Sequence, residues 1–199
     1  MEVSEHANES IQPSRIAALS ARPAGTAKEL EVPAGIDVEI GDGMVTVKGP
    51  LGSNVRKFNS SLLLITMQNG RIRIASSDKK SLAKKSNLTV NAFSKELEND
   101  IKGVSNYFEI NMETVFLHFP VTVEVKDGRF TIKNLFGERK PRSAKIVGST
   151  KVEIKDKSVR VYGTRLDDVS QTAANIRQAC KIVNKDDRVF QDGVYYSIE

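Results

Sequence analysis

The residues best suited to chemistry in this chain are cations. Lys133, Arg139, Lys140, Arg142 and Lys145 crowd one short stretch and are opposed there only by Glu138. Arg177, Lys181, Lys185 and Arg188 follow further on, beside Phe190, Tyr195 and Tyr196. Long cations spaced this way can reach several phosphates at once, and the counterions they displace make such binding salt-dependent. Gly137 and Pro141 suit the first stretch to an irregular loop. The competing reading is a solvated loop, since lysine and arginine are mostly exposed in any protein. Basic residues interleaved with aromatics also suit an RNA contact. For Phe190, Val194 and Tyr196, packing of the terminus onto the domain is the preferred reading.

Catalytic and metal-binding patterns are missing from the sequence. A single Cys, at position 180, excludes an intrachain disulfide and a Cys-clustered zinc site. It falls on an apolar helical face, which suits a small core residue, and a nucleophile would need a His or a cation beside it. His118 lies between Leu117 and Phe119 with no second ligand at metal spacing, and His6 is far away. Asp167-Asp168 is read as a helix N-cap, which needs no catalytic role. Gly41 and Gly43 fall in a hairpin turn, the wrong context for a dinucleotide loop. No enzyme activity, cofactor, metal or small-molecule substrate is expected.

The composition agrees. Of 199 residues, 39% are hydrophobic and 28% charged, a globular balance. Aromatics are 6% with no Trp, which argues against a surface built on many stacking platforms. The longest apolar run, Leu62–Ile65, is strand-sized and far short of a membrane span. Glu2, Glu5 and Glu9 break the order of a signal peptide, so a cytoplasmic setting without membrane contact is expected.

The elements that must carry the cations repeat. Val38 and Ile40 alternate with polar residues up to Asp42-Gly43, and Val45 and Val47 alternate after it, a hairpin pattern. Val123 and Val125, Asp127-Gly128, then Phe130 and Ile132 repeat it 85 residues later. A second hairpin follows in each copy, around Asn69-Gly70 and around Lys157. A helix closes each copy. Val90, Phe93, Leu97, Ile101 and Val104 form one apolar helical face, and Val169, Ala173, Ile176 and Cys180 form the other. The expected class is α+β: two tandem similar domains, each a mostly antiparallel sheet with a covering helix. Residues 1–30 read as a tail that is disordered when free. Residues 31–106 read as the first repeat and 107–199 as the second, the main RNA-binding domain.

Charge divides unevenly along this frame. The net formal charge is +5. Residues 1–30 hold 3 basic and 4 acidic residues, and residues 31–119 hold 11 and 10. Residues 120–199 hold 16 basic against 11 acidic and so carry the whole excess. Arg56 and Lys57 stand in the equivalent loop of copy one, a much weaker cluster. Duplication followed by charge divergence gives copy two the stronger hold on nucleic acid.

Several runs in copy two carry a resemblance. His118-Phe119-Pro120 leads into the hairpin, and Asn134-Leu135-Phe136-Gly137-Glu138-Arg139 opens the basic stretch. Val169-Ser170-Gln171-Thr172-Ala173-Ala174-Asn175-Ile176-Arg177 lies on the last helix, and Phe190-Gln191-Asp192-Gly193 approaches the end. From about residue 31 onward the chain resembles the sixth-protein family of the large ribosomal subunit, in the branch shared by archaea and eukaryotes. The resemblance implies two similar α+β domains and a C-terminal domain that binds large-subunit ribosomal RNA near the region where translation factors dock. It implies neighbouring ribosomal proteins as partners and no catalysis. The bacterial branch ends in a Lys-Gly-rich tail where this chain has Gln191-Asp192-Gly193, so RNA contacts of that tail do not transfer. The alternative function is an adaptor that binds an acidic protein through its sheet surfaces. The nine cations named above are the expected RNA-binding residues.

Overall fold

A computed structural model describes residues 27–68, 70–76, 83–183, 185–186 and 188–197. The expectation of disorder for residues 1–26 lies outside this set. The first half runs β1 (Ala27–Glu31), β2 (Asp37–Gly41), β3 (Met44–Gly49), β4 (Gly52–Lys57), β5 (Leu63–Gln68), β6 (Arg71–Ser76) and α1 (Ala83–Ser105). The second half runs β7 (Phe108–Val115), β8 (Thr122–Lys126), β9 (Arg129–Lys133), β10 (Arg142–Lys145), β11 (Lys151–Lys155), β12 (Ser158–Gly163), α2 (Leu166–Ala179) and β13 (Gly193–Tyr196). The fold class is α+β in two similar halves.

Each half pairs a three-stranded meander with a second sheet, all antiparallel. The meanders are β2-β3-β4 and β10-β9-β8, and the second sheets are β1-β6-β5 and β11-β12-β7-β13. β1 therefore stands beside β6 as β7 stands beside β12. It starts four residues inside the segment read as tail, because Leu30 packs against the first core. The turn at Asp127-Gly128 has both residues left-handed, at φ 51° and 68°. That backbone twist matches the twist of the two flanking strands.

Alternation decides which face is inward. Val45 and Val47 of β3 and Ile72 and Ile74 of β6 are buried. Against them α1 lays Val90, Phe93, Leu97, Ile101 and Val104, all buried. Burying one such side chain stabilises by about 1.5–3 kcal/mol. The second core repeats the plan with Phe130, Ile132, Val159 and Val161 under Val169, Ala173, Ile176 and Cys180. The two cores draw on separate residues, 36–104 and 112–194.

A polar seam joins the halves. Asn54, almost fully buried, donates from Nδ2 to the Thr164 carbonyl at 3.1 Å and accepts from Thr164 Oγ1 at 3.0 Å. Gly103 of α1 lies so close to Thr164 that a Cβ there would sit 1.8 Å from its carbonyl oxygen. Arg56 projects from β4 rather than from a loop, and its side chain is only 12% exposed. It binds both oxygens of buried Asp100 at 2.5 and 3.0 Å, then Glu96 at 2.9 Å and, across the seam, Asp167 at 3.0 Å. The expectation of a weak phosphate cluster at Arg56 is thus corrected: the copy-one equivalent is a structural ion pair.

Asp167 and Asp168 also move from their expected place. The N-cap of α2 is Arg165, and both acids lie in the first helical turn. There they face the positive end of the helix dipole. Asp167 is free to turn outward to Arg56.

Candidate nucleic-acid interface

The stretch expected as one basic loop divides into three settings. Lys133 ends strand β9, Arg139 and Lys140 lie in the connection, and Arg142 and Lys145 open and close β10. The connection begins with a single 3-10 turn, Leu135–Gly137. Asn134, Phe136 and Gly137 are all left-handed, at φ 59°, 54° and 74°. For a bulky residue such as Phe136 this backbone costs on the order of 1–3 kcal/mol and persists only where packing over-determines it. The packing is visible. Phe136 is buried, Phe190 meets it edge-on at 6.3 Å, and the Arg142 guanidinium lies 5.5 Å from its ring centroid. Asn134 donates from Nδ2 to the Pro120 carbonyl at 3.2 Å. Phe119 covers Gly137, where a Cβ would come within 3.2 Å of its ring.

Arg142 is occupied inside the protein. Its Nε and Nη2 donate to Glu138 at 2.8 and 2.6 Å, a bidentate pair. Its Nη1 donates to the carbonyls of Ala179 and Lys181 at 3.0 and 2.7 Å. Helix α2 ends at Ala179, whose carbonyl is among those with no intrahelical donor, and Arg142 satisfies it together with the Lys181 carbonyl just beyond. The Arg142 hydrogen bonds hold the Glu138 carboxyl below its ordinary range, and Glu138 holds the guanidinium above its own. Arg142 clasps the connection to the end of the helix.

The other cations differ in freedom. Arg139 and Lys140 are exposed and have no ion pair with a described residue. Lys133 pairs with Glu124 at 2.8 Å across the hairpin. Lys145 is exposed at the end of β10, and its carbonyl accepts from Asn175 at 2.9 Å. Arg188 is exposed in a turn held by its backbone N–H on Asp186 Oδ1 at 2.9 Å.

Arg177, Lys181 and Lys185 come together. With Gln191 and Tyr195 they line an open cleft of about 820 Å³. The Arg177 guanidinium lies 4.4 Å from the Tyr195 ring centroid, and Lys185 Nζ lies 4.7 Å from that of Phe190. Arg142 bonds to carbonyls at the cleft's edge and to Glu138 of the connection. Arg142 thus links the cleft's edge to the connection that carries Arg139 and Lys140, and Lys185 of the cleft acts electrostatically on Glu138. Tyr195 stands among the aromatics whose interleaving with cations suits an RNA contact, though not among the nine expected RNA-binding residues, and β13 places it at the cleft.

The terminal aromatics divide as well. Val194 is fully buried and Phe190 half-buried, so both pack. Tyr196 is 48% exposed at the edge of β13, which corrects its expected packing. His118 stacks on Phe190 at 5.4 Å, with Nδ1 3.8 Å from Asp192. Asp192 is fully buried and accepts the Leu117 N–H at 2.7 Å, so it ties the β7–β8 connection to the strand β13. Cys180 is buried, which pushes its thiol up, and it accepts the Val194 N–H at 3.3 Å. It is a core residue. Among the described residues no group of three His, Cys, Asp or Glu could hold a metal ion, and no helix is long and apolar enough to cross a membrane.

Comparison with known proteins gives a consistent result. The model of the ribosomal protein L6 family matches residues 119–193, the segment that carries the loop and the cleft's lining except Val115 and Tyr195. The large ribosomal subunit protein uL6 of Methanobrevibacter smithii is 42% identical over 168 residues, covering 84% of this chain and 93% of that protein. The uL6 of Methanosarcina mazei is 40% identical over 169 residues, covering 85% and 94%. That of Archaeoglobus fulgidus is 40% identical over 171 residues, covering 83% and 86%. Matched over 83–85% of its length by such relatives and over residues 119–193 by the family model, the chain belongs to the ribosomal protein L6 family.

Proposed function

We propose that this protein is a structural component of the large ribosomal subunit and grips large-subunit ribosomal RNA through the basic face of its second half. It works in the cytoplasm as part of the ribosome, beside neighbouring ribosomal proteins, and performs no catalysis. The observation that carries the RNA reading is the continuity of two sets of cations. Arg139 and Lys140 stand free on a packed connection, and Arg177, Lys181 and Lys185 line the adjoining cleft. Binding rests on phosphate neutralisation and on the fit of folded RNA to a preformed surface. Its place near the region where translation factors dock rests on the family resemblance.

The test is affinity for labelled large-subunit RNA fragments as a function of salt. The double variant Arg139→Ala with Lys140→Ala is expected to bind more weakly, with a log–log salt slope shallower by about 2. Unchanged affinity and slope would remove the connection from the interface.

A further inference from the structure

The cleft holds more than a phosphate site requires. Surface cations alone can follow the convex backbone of an A-form helix. Here the cations border a recess of about 820 Å³, within the roughly 300–1,000 Å³ of sites that enclose small ligands. Two of its walls, Val115 and Ile182, are apolar and offer a phosphate nothing. The Arg177 guanidinium is already set over the Tyr195 ring, and unstacked bases rest on aromatic rings and on arginine planes. The Gln191 amide spends one N–H on the Arg188 carbonyl at 3.4 Å and keeps its second N–H and its oxygen, a donor and an acceptor that suit the edge of a base or a ribose hydroxyl. Lys181 and Lys185 stand at the same recess for the phosphates on either side. Among the described residues no carboxylate lines it.

Resting on the RNA-binding reading above, we infer that this cleft receives one unpaired nucleotide, turned out of an RNA helix, with its base against the Arg177–Tyr195 pair. The ligand class is thus a bulge or an open loop rather than a continuous duplex. The Arg139-Lys140 connection binds the adjoining helix through its phosphates and is indifferent to the bulge.

The experiment compares short RNA hairpins of equal length in fluorescence anisotropy. One is fully paired, and four others carry a single bulged A, C, G or U. The native protein is expected to bind at least one bulged hairpin about tenfold more tightly than the paired one, the effect of stacking one base. Tyr195→Leu is expected to abolish that preference and leave affinity for the paired hairpin within about twofold. Gln191→Ala, an exposed change that spares the strand, is expected to reduce the preference and alter its ranking among the four bases. The Arg139→Ala, Lys140→Ala double variant is expected to weaken every hairpin equally. Equal native affinity for paired and bulged hairpins overturns the inference, as does an undiminished preference in both Tyr195→Leu and Gln191→Ala. Either result leaves the RNA-binding reading intact, which fails only if no hairpin binds in a salt-dependent way.

Discussion

Replacing Arg56 by Ala removes the cation at the centre of the seam and leaves its acids behind. The three acids differ in what they lose. Glu96 and Asp167 have side chains 47% and 55% exposed, and water can solvate them once the arginine is gone. Exposed pairs of this kind contribute about 0–1 kcal/mol each. Asp100 is 3% exposed and would remain as a buried, unpaired carboxylate. Breaking a buried pair from one side costs about 3–5 kcal/mol. The network holds the Arg56 guanidinium well above its ordinary range, with the Asp100 hydrogen bond the largest cause. Arg56→Ala is therefore expected to lose about 3–5 kcal/mol, mostly through Asp100. At about 2–4 °C per kcal/mol for a chain of this size, the melting temperature falls by about 6–20 °C. Asp167→Ala should stay within about 1 kcal/mol of native. Adding Asp100→Ala to Arg56→Ala removes the orphaned charge and should recover part of the loss. Urea unfolding followed by circular dichroism measures all four proteins. An Arg56→Ala variant within about 1 kcal/mol of native, or a double variant no better than the single, would refute the reasoning.

Two further predictions concern the clasp and acid. Arg142→Ala is expected to cost about 1–3 kcal/mol of stability, since four hydrogen bonds from a charged group are lost, while affinity for paired RNA hairpins falls less than in the Arg139, Lys140 double variant. Parallel melting and anisotropy measurements separate the two effects. Glu98 is held at about 2 by hydrogen bonds from Lys102 and Lys95, and Glu109 and Glu138 are held below the ordinary range by Arg160 and Arg142. A carboxyl lowered on folding contributes stability above its unfolded pKa and loses it as pH falls through the folded value. Stability should therefore decline from the ordinary carboxylate value of 4.5 down to about 2, and Glu98→Gln should flatten part of that decline in melts across the range.

What the sequence showed was local or periodic. Asp42-Gly43 and Asp127-Gly128 set their hairpins because two residues suffice to turn the chain. The apolar faces of α1 and α2 were readable because a helix repeats on itself. Most of the failures are long-range. Arg142 looked like one loop cation among five, and only the fold brings it to the carbonyls of Ala179 and Lys181, 37 and 39 residues on. Arg56 looked exposed until α1 placed Asp100 over it. β13 is a four-residue strand that exists because β7 offers an edge to pair with. The one local failure is Asp167, which resembles a cap by type, yet the helix starts at Leu166 and its cap position falls two residues earlier, to Arg165. Residue type located the positive face. Which cations remain free on it depends on partners distant in sequence.

The seam also bears on how the chain is made. Domains fold as units, the N-terminal one first, while synthesis continues. Arg56 can meet Asp100 as soon as α1 has emerged, 44 residues later. Thr164 and Asp167 arrive 110 and 111 residues after the groups they bind. In that interval Asn54 and the outer arm of Arg56 face water, which solvates an amide and a guanidinium well. An apolar seam of the same area would leave the half-made protein sticky. A polar seam lets the first half wait in solution until its partner is delivered.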